Sequence, residues 1–447
     1  MEQVNIATSL KRLKDELKNE IEATRDALEV NEKGVPERTI ANCQTALELD
    51  PVMKGAFRKN QLTGLIDVVR PMFWHRDGVR FTDNDLTMTE VWLGSCYKLH
   101  GTTMVLKALR TVANENQYHP VQEYLNKLTW DGTPRIREAL HHFLGAEVND
   151  FNEECLRVFM YGALERVFHP GCKFELMLCL TGGQGAGKST FFRLLSLQDE
   201  WFSDDLKKLD DENVYRKLQG HWIIEMSEMI ATANARSIEE IKAFLSRQKE
   251  TYKTPYGVHP EDRPRQCVFA GTTNRQDFLP MDRSGNRRFL PVAVDAEKAE
   301  VHPLEDEQAS RAYIDQMWAE AMAKYQAGEY NLHLSEESEK MLSKMQEAFM
   351  QEDTDAGLIL AFMEDYEGIY ICSKQLFREA LGRTHEPTPK EIRNVNGIMN
   401  AAIADGSLAG WRAFQNARRF PEYGTQRGWE RIPEDVNEKV NGGAKGP

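Results

Sequence analysis

The chain has 447 residues, more than one ordinary core accommodates, so two to four domains are expected. Hydrophobic residues make up 41% and charged residues 28%, a globular composition, and no apolar run approaches the roughly 18 residues of a membrane span. The formal net charge of −14 counts against a protein that coats nucleic acid with its whole surface, and if DNA is the partner the basic patch must be local.

The stretch from Met1 to Leu13 is polar, with no apolar segment behind a basic cluster, so no secretory signal is expected there. The seven cysteines (Cys43, Cys96, Cys155, Cys172, Cys179, Cys267, Cys372) are scattered and odd in number, without a C-x-x-C pair. Neither a disulfide framework nor a zinc site is indicated, and a reducing cytoplasm is the expected compartment.

Residues 8–30 repeat Leu10, Leu13, Leu17, Ile21 and Leu28 at helical spacing, which predicts an amphipathic helix packed on its own domain. Three full heptads are lacking, so a coiled coil is not favoured. The pattern stays mainly helical over residues 1–115. Asp83 and Asp85 in FTDNDL have no third partner, and a solvated loop is expected rather than a paired-carboxylate metal site. Residues 116–172 read as a helical lead-in: a turn at Tyr118, a short helix, a turn over Trp130–Gly132 (WDG), and another helix.

Residues 173–300 alternate strands and helices, which predicts an α/β core with a parallel sheet. The strands are Glu175–Leu180 (ELMLCL), Trp222–Met226 (WIIEM), Cys267–Ala270 running into GTTN, and Phe289–Val294. Helices at about 305–327 and 335–352 form a helical extension over 301–353. The next unit, 354–432, opens with LILAFMEDYE. A Ser373-capped SKQLFREAL and a Thr388-Pro389-capped TPKEIRNVNGIMNAAI follow, the latter with Glu391 completing a capping box. Arg412, Arg418, Arg419, Arg427 and Arg431 then lie among Trp411, Phe414, Tyr423 and Trp429. Short helices followed by a basic aromatic ribbon predict a winged-helix-like domain able to bind duplex DNA, with protein contacts as the alternative. Residues 433–447 read as a flexible tail.

Gly182–Ser189 (GGQGAGKS) fits G-x-x-x-x-G-K-[ST] between an apolar strand and a helix. Glycines let backbone N–H groups turn inward around phosphates, Lys188 neutralises the β/γ oxygens, and Ser189 offers a hydroxyl to Mg²⁺. The loop Gly182, Gly183, Gln184, Gly185, Ala186, Gly187, Lys188, Ser189 and Thr190 is therefore the expected binding site for ATP with Mg²⁺. Such a loop needs a carboxylate from a neighbouring strand for the cation and another group to orient water. HWIIEMSEM offers Glu225 at the strand end and Glu228 just beyond; spacing alone does not divide the roles. Asn274, ending the third strand, would orient water at the γ-phosphate. Arg287 and Arg288 precede the fourth strand, and in an oligomer either can reach a neighbour's γ-phosphate.

Ser237 with Glu240 forms a capping box over a stripe of Ile238, Ile241 and Leu245. Beyond that helix RQKETYKTPYGVHP interleaves Arg247, Lys249 and Lys253 with Tyr252 and Tyr256. Cations that track phosphates and rings that stack on bases suit single-stranded DNA; an ordinary polar hairpin is the alternative.

Taken in order, WDG at 130–132, PGCKFELMLCLTGGQGAGKST, GHWIIEMSEM, IKAFLSRQKETYKTPYG, PRQCVFAGTTN and GNRRFLPV resemble the virulence-associated E family of phages and mobile genetic islands. The likeness runs from about residue 115 to 330. Those proteins carry ATPase cores similar to superfamily 3 helicases of the AAA+ class. The resemblance implies a homo-oligomer, expected to be a hexamer, around single-stranded DNA in the cytoplasm of a bacterial host, with ATP hydrolysed between subunits. By it Lys188 and Ser189 fall in Walker A, and Glu228 is first choice for the Walker B carboxylate and metal ligand, with Glu225 as second candidate. Asn274 falls at sensor 1 and Arg288 at the finger arginine. No adjacent Asp-Glu pair is present, which leaves the division of roles open. Duplex origin DNA and a separate primase are further partners in this reading, and no membrane is involved. The alternative is an ATP-switched initiator that binds DNA without processive unwinding.

Overall fold

The computed structural model describes residues 6–206, 209, 214–227, 235–252, 259–275, 279, 286–348, 354–404 and 406–432. The chain divides into two compact units, Met1–Phe349 and Met350–Pro447.

At the N-terminus the single helix expected over 8–30 is two, α1 (Ile6–Glu16) and α2 (Lys18–Asp26), meeting at Leu17. Ile21 and Leu28 are buried, with Leu10, Leu13 and Leu17 packed against the same cluster, so the apolar stripe turns inward as its spacing predicts. After α3 (Ile40–Leu49), two short strands interrupt the mainly helical pattern expected here. β1 (Phe57–Asn60) pairs antiparallel with β2 (Ile66–Val68) and later parallel with β3 (Gln117–Tyr118). Strands of two to four residues are too short to show a period-two pattern.

The expectation of a loop at Asp83 and Asp85 is corrected: both begin α4 (Asp83–Tyr97). Thr82 caps that helix, and Asp85, at its third position, closes a capping box by accepting the Thr82 N–H at 2.8 Å. Asp85 is 1% exposed and also accepts from Trp74 Nε1 (2.7 Å) and Arg76 Nε (2.8 Å). Burial opposes its ionisation, and the bonds from Arg76, Trp74 and Thr82 outweigh it, drawing the carboxyl below its usual range. The acid therefore serves helix start and core, not metal. α5 (Thr102–Glu115) completes a core around Trp92, where buried Asp50 accepts from Trp92 Nε1 (2.8 Å) and Tyr97 Oη (2.6 Å).

α6 (Pro120–Leu125), α7 (Ile136–Leu144) and α8 (Asp150–Phe168) follow. Gly145 ends α7 at φ 65°, and a Cβ there would stand 2.0 Å from the Asp295 carbonyl oxygen, so glycine is required. The core then runs β4 (Met177–Thr181), α9 (Lys188–Leu195), β5 (Phe202–Ser203), α10 (Val214–Leu218), β6 (Ile223–Glu225) and α11 (Ala235–Leu245). It continues through β7 (Lys249–Tyr252), β8 (Glu261–Pro264), β9 (Val268–Thr273) and β10 (Phe289–Ala293).

Among the described residues one five-stranded sheet has the order β10-β4-β9-β6-β5, and every pairing is parallel. The four apolar runs named from sequence are four of these strands, while β5 is a two-residue edge strand without a readable pattern. β7 and β8 form a separate antiparallel hairpin. Ser237 does not open its helix, because α11 already begins at Ala235. Ile241 and Leu245 are buried as their spacing predicts.

α12 (Glu307–Gln326) and α13 (Glu336–Ala348) pack in the same cluster, where Trp222 and Trp318 meet in a tilted pair with centroids 4.5 Å apart. Both indoles are satisfied, Trp222 Nε1 by Ala163 O at 3.0 Å and Trp318 Nε1 by Leu195 O at 2.9 Å.

The second unit runs α14 (Thr354–Asp365), β11 (Tyr370–Cys372), α15 (Ser373–Gln375) opening into a wider turn over Leu376–Ala380, and α16 (Pro389–Ala404). Strands β12 (Trp411–Ala413), β13 (Arg418–Phe420), β14 (Gly424–Gln426) and β15 (Gly428–Arg431) follow. The sheet order is β11-β15-β12, antiparallel throughout, with β13 and β14 as a two-stranded hairpin inserted before β15. Thr388 and Glu391 make the expected capping box: the Thr388 N–H donates to Glu391 at 2.8 Å. Ser373 is not a cap; its hydroxyl donates to Asn396 Oδ1 at 2.5 Å, tying α15 to α16.

Candidate functional site

Everything the sequence singled out for phosphate chemistry within the described residues, the arginines apart, lies at the C-terminal edge of the parallel sheet. That edge is where ligands settle in open α/β folds. Thr181 ends β4, and the chain turns through Gly185 (φ 82°) and Gly187 (φ 78°) into α9. Gly182 is required for a different reason. Its φ is ordinary, and a Cβ would lie 2.3 Å from the Val294 carbonyl oxygen after β10. The turn thus presses against the next strand, and only glycine fits.

Lys188 is 7% exposed and its ammonium lies inside the loop. It donates to Gly182 O (2.8 Å), Gly183 O (2.7 Å) and Asn274 Oδ1 (3.0 Å). Burial pushes its pKa down while the Glu225 charge raises it. Asn274 follows β9, the neighbour of β4, so the two strand ends meet at this lysine. Glu225 ends β6 on the far side of β9 and is 1% exposed. Its Oε1 accepts from Ser189 Oγ at 2.7 Å and from Thr272 Oγ1, and its Oε2 is buried without a hydrogen-bond partner among the described residues. Burial holds the carboxyl above its ordinary range, against the lowering effect of Thr272, Ser189 and Lys188. Lys188, Ser189, Thr272 and Asn274 border a cavity of about 510 Å³ lined by Gln184–Thr190, Ser227, Thr272–Asn274 and His302, with Glu225 buried behind them.

Among the described residues no cluster of three His, Cys, Asp or Glu side chains forms a metal cage. One carboxylate and one hydroxyl instead suit Mg²⁺, which keeps several waters and takes further oxygens from phosphate. Among the described residues Ser189 Oγ, with the Glu225 carboxylate behind it, would be the group to hold such an ion. Glu228, first choice for that role from sequence, lies outside the described residues.

Two groups at the cavity escape a reading of the sequence. Thr272, two residues before Asn274, fixes Glu225 from inside β9; a hydroxyl in GTTN carries no signal of which strand it faces. His302 and Pro303 stand over Gly187, where an added Cβ would come 3.0 Å from Pro303 Cδ and 3.4 Å from His302 Nε2. Nothing in their local sequence marks them.

Arg287 and Arg288 lie in a 3-10 turn leading into β10. They differ in environment. Arg288 is 17% exposed and ion-paired to Glu175 at 3.1 Å, which also accepts from Ser246 Oγ at 2.7 Å. Arg287 is exposed.

Lys249 opens the first strand of the β7–β8 hairpin, and Arg247 lies just before it. Arg247 contacts Tyr215 Oη at 3.3 Å and lies 3.7 Å from Glu250, and Lys249 pairs with Asp262. Lys253 and Tyr256 lie outside the described residues. A second cavity, of about 530 Å³, borders this hairpin, but its polar groups bond one another: His119 Nε2 with Gln266 Oε1 at 2.8 Å, Gln266 with Gln61 O at 3.0 Å, and Arg265 with Glu250.

Among solved structures the chain is similar to an A-form apo structure of the NrS-1 C-terminal region, with TM-score 0.46, 13% identity, and 84% of this chain and 96% of that chain covered. A second A-form structure of that region gives TM-score 0.49, 13% identity and coverage of 89% and 100%. A further apo structure gives 0.44, 15%, 83% and 95%. No curated protein matches the chain. The family model for the virulence-associated protein E-like domain matches residues 125–351, just over half of the chain. That span contains the glycine loop, Glu225, Asn274 and both arginines, and the chain belongs to the virulence-associated protein E-like family.

Proposed function

We propose that the chain is an ATP-dependent DNA helicase or replication ATPase of a phage or mobile genetic element. Its core is read as a P-loop fold of the AAA+ class, similar to superfamily 3 helicases, hydrolysing ATP between subunits of a ring around single-stranded DNA. The observation that carries this is the convergence of Lys188, Ser189, Glu225 and Asn274, from three adjacent parallel strands, on one glycine loop.

In this reading the backbone N–H groups of 183–189 cradle the phosphates at the start of α9, and Lys188 turns from the loop carbonyls to the β/γ oxygens. Ser189 and Glu225 would hold Mg²⁺, which would neutralise charge developing on the phosphates. Asn274 orients the attacking water. Arg287, exposed and ahead of β10, is the better placed of the two arginines to reach a neighbouring subunit, since Arg288 is held by Glu175. The second unit is read as a winged helix.

Hydrolysis stimulated by single-stranded DNA, together with strand displacement on a forked substrate, tests the whole reading. Stimulated hydrolysis without displacement would favour the ATP-switched initiator. No hydrolysis at all would remove both.

Two further outcomes are expected. Glu225→Gln should lose Mg²⁺-dependent hydrolysis and also change how stability depends on pH. A buried acid with a raised pKa binds more protons folded than unfolded, so the wild-type apo protein should lose stability as pH rises from the ordinary carboxylate range to that raised value. Melting curves of the glutamine variant should lack that component, and equal pH dependence in both would refute the placement of Glu225. Lys253→Ala, between β7 and β8 in sequence, should weaken single-strand binding and flatten its log–log salt slope by about 0.7. Tyr256→Ala should lower affinity by roughly 1–3 kcal/mol and leave the slope almost unchanged. Oligonucleotide titrations at several salt concentrations decide this, and wild-type binding by Lys253→Ala would leave that segment without a DNA role.

A further inference from the structure

The overall charge of −14 is unevenly spread: over residues 354–432 acidic and basic side chains balance. Several of the acids there are already engaged. Glu386 pairs with Lys374 and Arg378, Asp355 with Arg383, and Glu430 with Arg412. Glu391 is bound by Thr388 and by His385 at 3.0 Å. The cations left without a carboxylate partner among the described residues are Lys390, Arg393, Arg418, Arg419, Arg427 and Arg431.

Their placement is ordered. α16 buries Val395, Ile398, Met399 and Ala402 against its own unit. The opposite stripe, at helical spacing, is Lys390, Arg393, Asn394, Gly397 and Ala401, all exposed and none acidic. Asn400 beside it is pinned by Trp429 Nε1 at 2.9 Å, which sets the rotation of the helix on the sheet. The hairpin β13–β14 offers a second cationic surface. Arg418 covers the Tyr370 ring at 3.6 Å, so Arg419, next along the strand, faces the other way and is exposed, as is Arg427. The order helix, strand, helix, helix, strand, strand, with β15 between β11 and β12 and the β13–β14 hairpin inserted between the last two strands, is that of a winged helix, in which the third helix is the one that enters a groove.

We propose that this unit carries a duplex-DNA site of its own, with the Lys390–Arg393–Asn394 face of α16 in the major groove and Arg419 and Arg427 on flanking phosphates. The groove is about 12 Å wide and admits a helix, arginine and asparagine read guanine and adenine edges there, and Gly397 and Ala401 keep the centre of the face low. The site rests on the proposed replication function and gives it a duplex partner. One carboxylate, Glu422, lies in the β13–β14 turn and opposes the contact, so it supplies a test of sign.

The full chain is titrated against a labelled 24-base-pair mixed-sequence duplex and against the corresponding single strand, at several salt concentrations. Lys390→Ala/Arg393→Ala and Arg419→Ala/Arg427→Ala should each weaken duplex binding by roughly tenfold or more, with less effect on the single strand. Each cation withdrawn from a phosphate should flatten the duplex salt slope by about 0.9. Glu422→Gln should tighten the duplex. The charge-preserving Lys390→Arg change should bind as wild type, which ties the alanine effect to the charge. Lys188→Ala should also bind duplex as wild type, so failure of the ATPase reading and failure of this site give different results. Wild-type duplex affinity in both alanine pairs would overturn the proposal. So would equal weakening on duplex and single strand, or impaired self-association with duplex affinity intact, which would mark the face as a protein contact.

Discussion

Lys188→Ala is expected to lower ATP turnover by roughly 10²-fold or more, the scale of losing one preorganised charge at a phosphoryl-transfer site. The fold should survive. Lys188 is nearly buried, but its partners are two loop carbonyls and Asn274 at the margin of a cavity of about 510 Å³, where water can replace the ammonium. Burial already depresses the lysine's pKa, so the folded state gains little from its charge. Melting temperature should therefore stay close to wild type while phosphate release collapses. Lys188→Arg should fail almost as badly, because a planar guanidinium does not occupy the point position of an ammonium. Near-normal turnover by the alanine variant would end the assignment of this loop to ATP.

Much of the core is legible in the sequence because its signals are local. Four apolar runs are β4, β6, β9 and β10, and glycine spacing locates the turn between β4 and α9. Glu225 and Asn274 stand out as the polar ends of apolar strands, which requires no knowledge of strand order. The order itself, with β9 between β4 and β6, is not legible, and it is what makes Thr272 a partner of Glu225. Asp85 reads as part of a polar turn because its capping box with Thr82 uses aspartate where glutamate is the usual signal. The pairing of Arg288 with Glu175 joins residues far apart in sequence, and no periodicity announces it. The same limit hides His302. Residues whose role depends on what folds against them are invisible, whereas residues whose role depends on their own strand or turn are not.

Arg287 and Arg288 carry the second large expected effect, and the structure separates them. Arg288→Ala removes one side of a mostly buried ion pair and leaves the Glu175 carboxylate with the Ser246 hydroxyl and the more distant charge of Lys173, so it should lower the melting temperature whatever it does to activity. Arg287 has no such pair among the described residues, so Arg287→Ala should melt as wild type. If Arg287 acts across a subunit boundary on the γ-phosphate, its loss should cut turnover on the order of 10³–10⁵-fold, as for finger arginines generally. The decisive measurement uses mixtures. Arg287→Ala subunits supply an intact lysine and Lys188→Ala subunits supply an intact arginine, so a composite site between one of each regains both. Neither variant alone should turn over ATP, yet their mixture should recover a fraction that rises and falls with mixing ratio and peaks where unlike neighbours are commonest. Recovery identifies the trans role, since a residue acting within its own subunit cannot be supplied by a neighbour. If no ratio restores turnover although mixed assemblies form, the arginine works in its own chain or takes no part, and the reading of hydrolysis between subunits falls with it.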